Sequence, residues 1–182
     1  MTYRRTPKTV QRQTEKRARI LAAARALVAD GGWAAAQVDH GAIKSGVGTR
    51  PRYRYWSSKA ELCAEIVARV SAHEVSVVRA IVEADGTPVE KLAAAIRTFA
   101  SRALQGRHLA WALIAEPVDP EVESVRLDYR AQLAHCFERI LREGIMRGVF
   151  PRLDPAVAAA CIVGAFMEAL VGPLAPAKGT GK

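Results

Sequence analysis

Apolar residues recur at intervals of three and four along most of the chain, and alternating β-branched runs bounded by Asn-Gly or Asp-Gly turns do not occur. That periodicity predicts an all-α protein. The first amphipathic helix is expected over residues 14–30, with Ile20, Ala24, Leu27 and Val28 on its apolar face and Arg12, Lys16 and Arg19 on its outer side; Gly31-Gly32 stands where a left-handed C-cap belongs. Two short helices follow, over 38–44 and 49–55, separated by the turn Ser45-Gly46-Val47-Gly48. A long helix over 58–83 then opens on Ser58, with Glu61 placed to complete a capping box and Leu62, Ile66, Val70, Val77 and Ile81 as its buried stripe.

The second half restarts at Thr87-Pro88-Val89-Glu90, which combines a Thr N-cap, Pro at the first helical position and Glu at the third. Leu92, Ile96, Phe99 and Ala103 carry this helix to a break at Gly106, and a short helix passes through Trp111 to Ala115. Asp119-Pro120 starts another by the same Asp-cap, Pro-first logic, and Val122, Tyr129, Leu133, Phe137, Ile140 and Leu141 continue it to Arg147. After a turn over 148–152, Asp154-Pro155 opens a last helix to Val171 that is apolar almost all round. This run is short of the ~20 residues of a membrane span, carries Glu168 and is rich in Ala and Gly rather than Leu and Ile, so a helix buried by neighbours is expected. Its small residues Ala158, Ala159, Gly164 and Ala165 permit close backbone approach. A second subunit is expected to cover one face, giving a homodimer through the last two helices.

Charge changes the picture most. Of 182 residues, the first 60 hold 13 Lys and Arg against 3 Asp and Glu, while the remainder hold 14 against 15. All of the net +9 therefore belongs to the first third, which points that segment at an anionic partner, nucleic acid before a membrane surface. Cys63, Cys136 and Cys161 are odd in number and each set in an apolar helical pattern, as expected of buried thiols in a reducing compartment. The N-terminal segment has no apolar leader-like run, and the expected location is cytoplasmic.

Residues 38–62 carry the chemistry. Two short helices joined by a tight glycine turn, the second dense in arginine and tyrosine, are what a helix-turn-helix requires. The second must aim donors at base edges and phosphates: Thr49, Arg50, Arg52, Tyr53 and Arg54 are the candidates. Arg50 and Arg52 are the best base readers, because a guanidinium fork matches guanine O6 and N7 in the major groove.

This stretch resembles, without a gap, the motif A-G-V-S-x-G-x-L-Y-x-Y/H-F-x-x-K-x-x-L of the tetracycline-repressor (TetR) family. Gly46, Val47, Tyr53, Tyr55, Lys59 and Leu62 stand at its positions and Trp56 replaces its phenylalanine; the family's Ile-Leu-x-Ala-Ala-x-x-Leu first-helix pattern also runs from Ile20 to Leu27. The chain departs from the motif at Gly48, Arg50, Pro51 and Arg52, and Gly41 stands where an apolar residue is usual. The resemblance implies a three-helix DNA-binding head on a larger helical body that dimerises and binds a small effector. It casts Tyr53 and Lys59 as phosphate contacts and Tyr55 with Trp56 as the packing that seats the recognition helix. The expected division is a head of residues 1–57 and an effector-binding and dimerisation body of residues 58–182.

No catalytic or cofactor signature competes with that reading. His40, His73, His108 and His135 are isolated, without metal-ligand spacing, and there is no G-x-S-x-G, phosphate loop or dinucleotide fingerprint. No enzyme activity, metal or cofactor is expected. In the body, Phe99, His108, Trp111, Tyr129, Leu133, Phe137 and Phe166, with Glu116 and Arg130 as further polar exceptions, are candidates to line an apolar effector pocket. The same set would equally make a solid core, and an architectural DNA-binding protein without a ligand is the alternative reading. The expected partners are double-stranded operator DNA, a second copy of the chain and a small apolar effector.

Overall fold

A computed structural model of the chain describes residues 7–35 and 55–176. Among the described residues there are six helices and no strand: α1 (Pro7–Ala35), α2 (Lys59–Glu83), α3 (Pro88–Gln105), α4 (Arg107–Ile114), α5 (Pro120–Met146) and α6 (Pro155–Leu174). The helices expected over 38–44 and 49–55 lie outside the described residues, except Tyr55, which sits in a turn.

Helix α1 begins seven residues before the expected Thr14, because after Pro7 nothing interrupts the ladder and proline is harmless at a first helical position. The break at Gly31-Gly32 is present: Gly31 is non-helical and Gly32 has φ +70° and ψ −168°. Ile20, Ala24, Leu27 and Val28 are all buried, as the periodicity predicts.

Helix starts follow local chemistry to differing degrees. Thr87 and Glu90 form a complete capping box: the Thr87 hydroxyl accepts from the Glu90 N–H, and the Glu90 carboxylate accepts from the Thr87 N–H at 2.9 Å. Asp154 accepts from the N–H groups of Ala156 and Val157. At α2 only half the expected box exists. Ser58 Oγ accepts from the Glu61 N–H, but Glu61 reaches past Ser58 to the N–H and hydroxyl of Ser57, which holds its carboxyl below the usual range. Asp119, expected to cap α5, occupies the N-cap position without a side-chain hydrogen bond to the helix.

Two hydrophobic cores hold these helices. The first gathers Ile20, Leu21, Ala24, Leu27, Val28 and Trp33 of α1, Trp56, and Leu62, Cys63, Ile66, Val67 and Val70 of α2, closed by Ala112 of α4 and Val122 of α5. The second packs the far half of α2 with α3, α5 and α6 around Phe99, Leu133, Phe137, Ile140 and Phe166. Helix α2 changes partners midway, from α1 to α3 and α5. Its stripe shifts accordingly: Val75, Val78 and Val82 are buried, while the expected Val77 and Ile81 are only half-buried.

Helix α6 departs from expectation in length. It runs 20 residues, through Gly172 and Pro173, because Leu174 is fully buried and anchors the last turn. It is thus long and apolar enough to cross a membrane, and the length argument against a span fails. What it does here is pack one face, Ala159, Val163, Phe166, Met167, Leu170 and Leu174, into the second core.

Candidate nucleic-acid interface and ligand cleft

The side of the molecule that would present the helix-turn-helix is organised by one carboxylate. Glu65 of α2 accepts from Arg17 of α1 at 2.7 Å and from the Trp56 indole N–H at 2.6 Å, and pairs with Arg69 at 3.1 Å. The Arg17 guanidinium also lies 4.9 Å from the Trp56 ring centroid, a cation–π contact. Trp56 is 1% exposed; burying a side chain of that size contributes on the order of 4–6 kcal/mol. Half-buried Tyr55 packs on the same core, its ring 5.9 Å from Trp56. The point where the chain enters α2 is therefore fixed against α1. Lys59, the first residue of α2, is exposed at that entry. The remaining candidate DNA contacts, Thr49, Arg50, Arg52, Tyr53 and Arg54, lie outside the described residues.

A second junction ties α1 to α4 and α5. Both carboxylate oxygens of Glu116 accept from the Trp33 backbone N–H, at 3.2 and 3.1 Å. The carboxylate lies so close that a Cβ on Gly32 would stand 2.7 Å from Glu116 Oε2. The Trp33 indole N–H donates to the Ala112 carbonyl at 2.8 Å. Arg126 of α5, 4% exposed, donates to that same carbonyl and to the Glu116 carbonyl at 2.8 Å, and pairs with Glu123 at 3.1 Å. Burial pulls the Arg126 pKa down from the usual guanidinium value and Glu123 opposes this. Its Nε is buried without a partner. Helix periodicity hides such residues: Arg126 and Trp33 are ordinary letters in an amphipathic pattern, and apart from Glu123 their partners are 10 to 83 residues distant.

In the body, α2, α3, α4 and α5 line a small, partly open apolar cleft of about 80 Å³. Val70, Phe99, Leu109, Leu113 and Ile114 supply apolar wall. Its polar edge is Glu74 and Arg102, joined by two hydrogen bonds of 2.7 Å that hold the Arg102 pKa up. Tyr129 completes the lining; burial pushes its hydroxyl pKa well above the ordinary value. Of the seven residues singled out from the sequence, Phe99 and Tyr129 line this cleft. Leu133, Phe137 and Phe166 lie in the packed core, where the Phe166 ring packs tilted against Phe99 and Phe137, with centroids 4.9 and 5.5 Å away. Trp111 is half-buried against that core and His108 is exposed. Glu74, Arg102 and Ser71 were not legible in the sequence, because an ion pair 28 residues apart follows no local spacing.

A second surface of the body, on α6, is apolar and exposed. Gly164, Ala165 and Cys161 of α6 are exposed, Val157 to 60%. Cys161 thus differs from the buried thiol expected, since it faces away from the core; Cys63 and Cys136 are buried. Between α5 and α6 on this side runs a groove lined by Ala131, Ala134, Ala160, Gly164 and Val171, with Arg130 and Glu168 as its charges.

Two family models match the chain: "Bacterial regulatory proteins, tetR family" over residues 20–66 and "Tetracyclin repressor-like, C-terminal domain" over residues 85–169. Solved structures share the fold. The transcriptional regulator FadR of Bacillus subtilis in complex with stearoyl-CoA superposes with TM-score 0.74 at 23% identity, covering 85% of this chain and 84% of its own. A TetR/AcrR-family regulator of Thermobifida fusca gives 0.69 at 22% identity, with coverages of 94% and 90%. RolR in complex with resorcinol gives 0.70 at 19% identity, with coverages of 92% and 83%. No curated protein is significantly similar in sequence.

Proposed function

We infer what the chain does from one premise: it belongs to the TetR family of bacterial transcriptional regulators. On that premise it is a repressor that binds operator DNA as a homodimer and lets go when a small, largely apolar ligand enters the body. Residues 1–57 form the head, with Arg50 and Arg52 reading bases and Thr49, Tyr53 and Arg54 holding phosphates, joined there by Lys59 from the start of α2. Residues 58–182 form the sensor and the dimer contact, made by the small-residue faces of α5 and α6. A cytoplasmic location follows from a DNA target.

The observation that carries the sensor half is the cleft between α2, α3, α4 and α5. An apolar wall with one polar edge is the usual composition of a small-molecule site. Phe99 and Tyr129 meet the ligand, with Leu133, Phe137 and Phe166 as the packed floor behind them; Arg102, Glu74 and the Tyr129 hydroxyl orient its polar group. Stearoyl-CoA and resorcinol, bound by two structural neighbours, mark the range of ligand size this architecture accommodates.

The test begins with an operator selected from a random duplex library. Affinity should fall steeply with salt; Lys59→Ala should weaken all DNA alike, and Arg52→Ala should cost the operator about 1–3 kcal/mol with little loss on unrelated duplex. A thermal-shift screen of small amphipathic compounds then supplies a ligand. Operator affinity must drop when it is added, by tenfold for each ~1.4 kcal/mol of preference for the DNA-free dimer. Equal affinity with and without a bound ligand would leave a DNA-binding protein that does not sense.

A further inference from the structure

We propose that the groove between α1 and α2 is a second binding site, for a small anionic amphiphile: a carboxylate or phosphate carried on a short alkyl or aryl group. The groove is separate from the cleft, and of the residues lining the two only Val70 is shared. It is open to solvent and holds about 370 Å³, against about 80 Å³ for the cleft. Leu21 of α1 with Ile66 and Val70 of α2 make an apolar floor. The rim is cationic and polar: Arg25 stands on α1, Arg69 and His73 on α2, all three exposed, and no carboxylate is among the lining residues.

Charge decides what the groove takes. Glu65 is the carboxylate bonded to its rim, and it already serves Arg17 at 2.7 Å and the Trp56 indole at 2.6 Å besides Arg69 at 3.1 Å. Among the described residues, the Arg25 and His73 side chains have no ion-pair or hydrogen-bond partner. Arg17, Arg25 and Arg69 thus share one carboxylate, and an anion seated between α1 and α2 supplies the missing acceptor; a guanidinium fork matches the oxygens of carboxylate and phosphate. Operator phosphates do not fit this place. Arg69 and His73 stand ten and fourteen residues past Lys59, about 15 and 21 Å along α2 from the end where the head joins it. A partner protein does not fit either: the lining runs from Ala18 to Arg25 and from Ile66 to His73, about 10 Å of each helix. Specific protein interfaces need roughly 1,200–2,000 Å². An extended alkyl chain of about eight carbons does span 10 Å.

The test titrates the full chain with octyl phosphate at low salt by calorimetry, with octanoate as the second anion and octyltrimethylammonium as the cation of equal length. Both anions should bind, and the cation at least tenfold more weakly. Lengthening hexyl to octyl phosphate should tighten binding about two- to fourfold per methylene, and decyl should add little, because the floor is then covered. Arg25→Gln, at an exposed position that holds no other group, should weaken octyl phosphate at least fivefold, with Arg25→Lys recovering part of the loss. Ala22→Trp, also exposed, lays a ring into the groove and should weaken it at least tenfold. Leu109→Trp fills the cleft instead and should leave octyl phosphate within twofold of the unaltered protein. Melting curves establish that each variant is folded. Equal binding of anion and cation would overturn the proposal, as would an unchanged affinity in Arg25→Gln or in Ala22→Trp. Loss of binding in Leu109→Trp alone would place the amphiphile in the cleft, refuting the second site while leaving the cleft reading intact.

Discussion

Gly32→Ala isolates how much the junction between α1 and α4 depends on one missing methyl group. The native backbone, φ +70° and ψ −168°, lies in a region that only glycine adopts readily, and a side chain there costs about 1–3 kcal/mol. Independently, the new Cβ would stand 2.7 Å from Glu116 Oε2 and 3.2 Å from Oε1. The carboxylate must swing away and release the Trp33 N–H, a charged hydrogen bond of roughly 1.5–3 kcal/mol. Against this, alanine lowers the entropy of the unfolded chain by about 0.4–1 kcal/mol. The destabilising effects win, and the net loss should be about 2–5 kcal/mol, a large share of the ~5–15 kcal/mol typical of a folded domain. Urea unfolding followed by far-ultraviolet circular dichroism, at one fixed protein concentration so that dimerisation does not enter the difference, reads this as a lower midpoint at unchanged slope. The steric share is separable: in a Glu116→Ala background, Gly32→Ala should cost only its backbone part. A loss below ~0.5 kcal/mol in the otherwise unchanged chain would refute the reasoning.

Gly144→Ala in α5 should also destabilise, by about 1–3 kcal/mol, although alanine is ordinarily the better helix former; its Cβ would fall 2.1 Å from Phe150 Cδ2 and drive that ring off the core. Thermal melting that rises instead of falling would contradict this. Gly164→Arg meets nothing within one chain, so it should leave the fold intact yet split the proposed dimer, which light scattering at micromolar concentration checks. Iodoacetamide at pH 8 should alkylate exposed Cys161, faster in Gly164→Arg than in the unaltered protein, and spare Cys63. Burial pushes the Cys63 thiol up to about 11, so it ionises only as pH rises past that value, and about one molecule in a thousand is thiolate at pH 8. Peptide mapping that finds Cys63 labelled first would reverse the assignment.

What the sequence determined by itself is what acts over four residues or fewer. The capping box of Thr87 and Glu90, the Asp154 cap, the breaks at Gly31-Gly32 and Gly106, and the apolar face of Ile20, Ala24, Leu27 and Val28 depend only on neighbours within a helical turn, and each is found in place. The motif over residues 46–62 likewise carries the family in a contiguous stretch. Tertiary structure decided whatever needed a partner distant along the chain. It moved the α2 stripe from Val77 and Ile81 to Val75, Val78 and Val82, because a helix serving two cores cannot keep one buried line. It carried α6 through Pro173, because burial of Leu174 outweighs a lost backbone bond in the last turn. It left Asp119 without its cap, and placed Glu74 against Arg102 and Glu116 beneath Trp33. A helical wheel says which residues share a face but not which face meets which helix. That assignment is made by packing, and the cleft and the α1–α4 junction both follow from it.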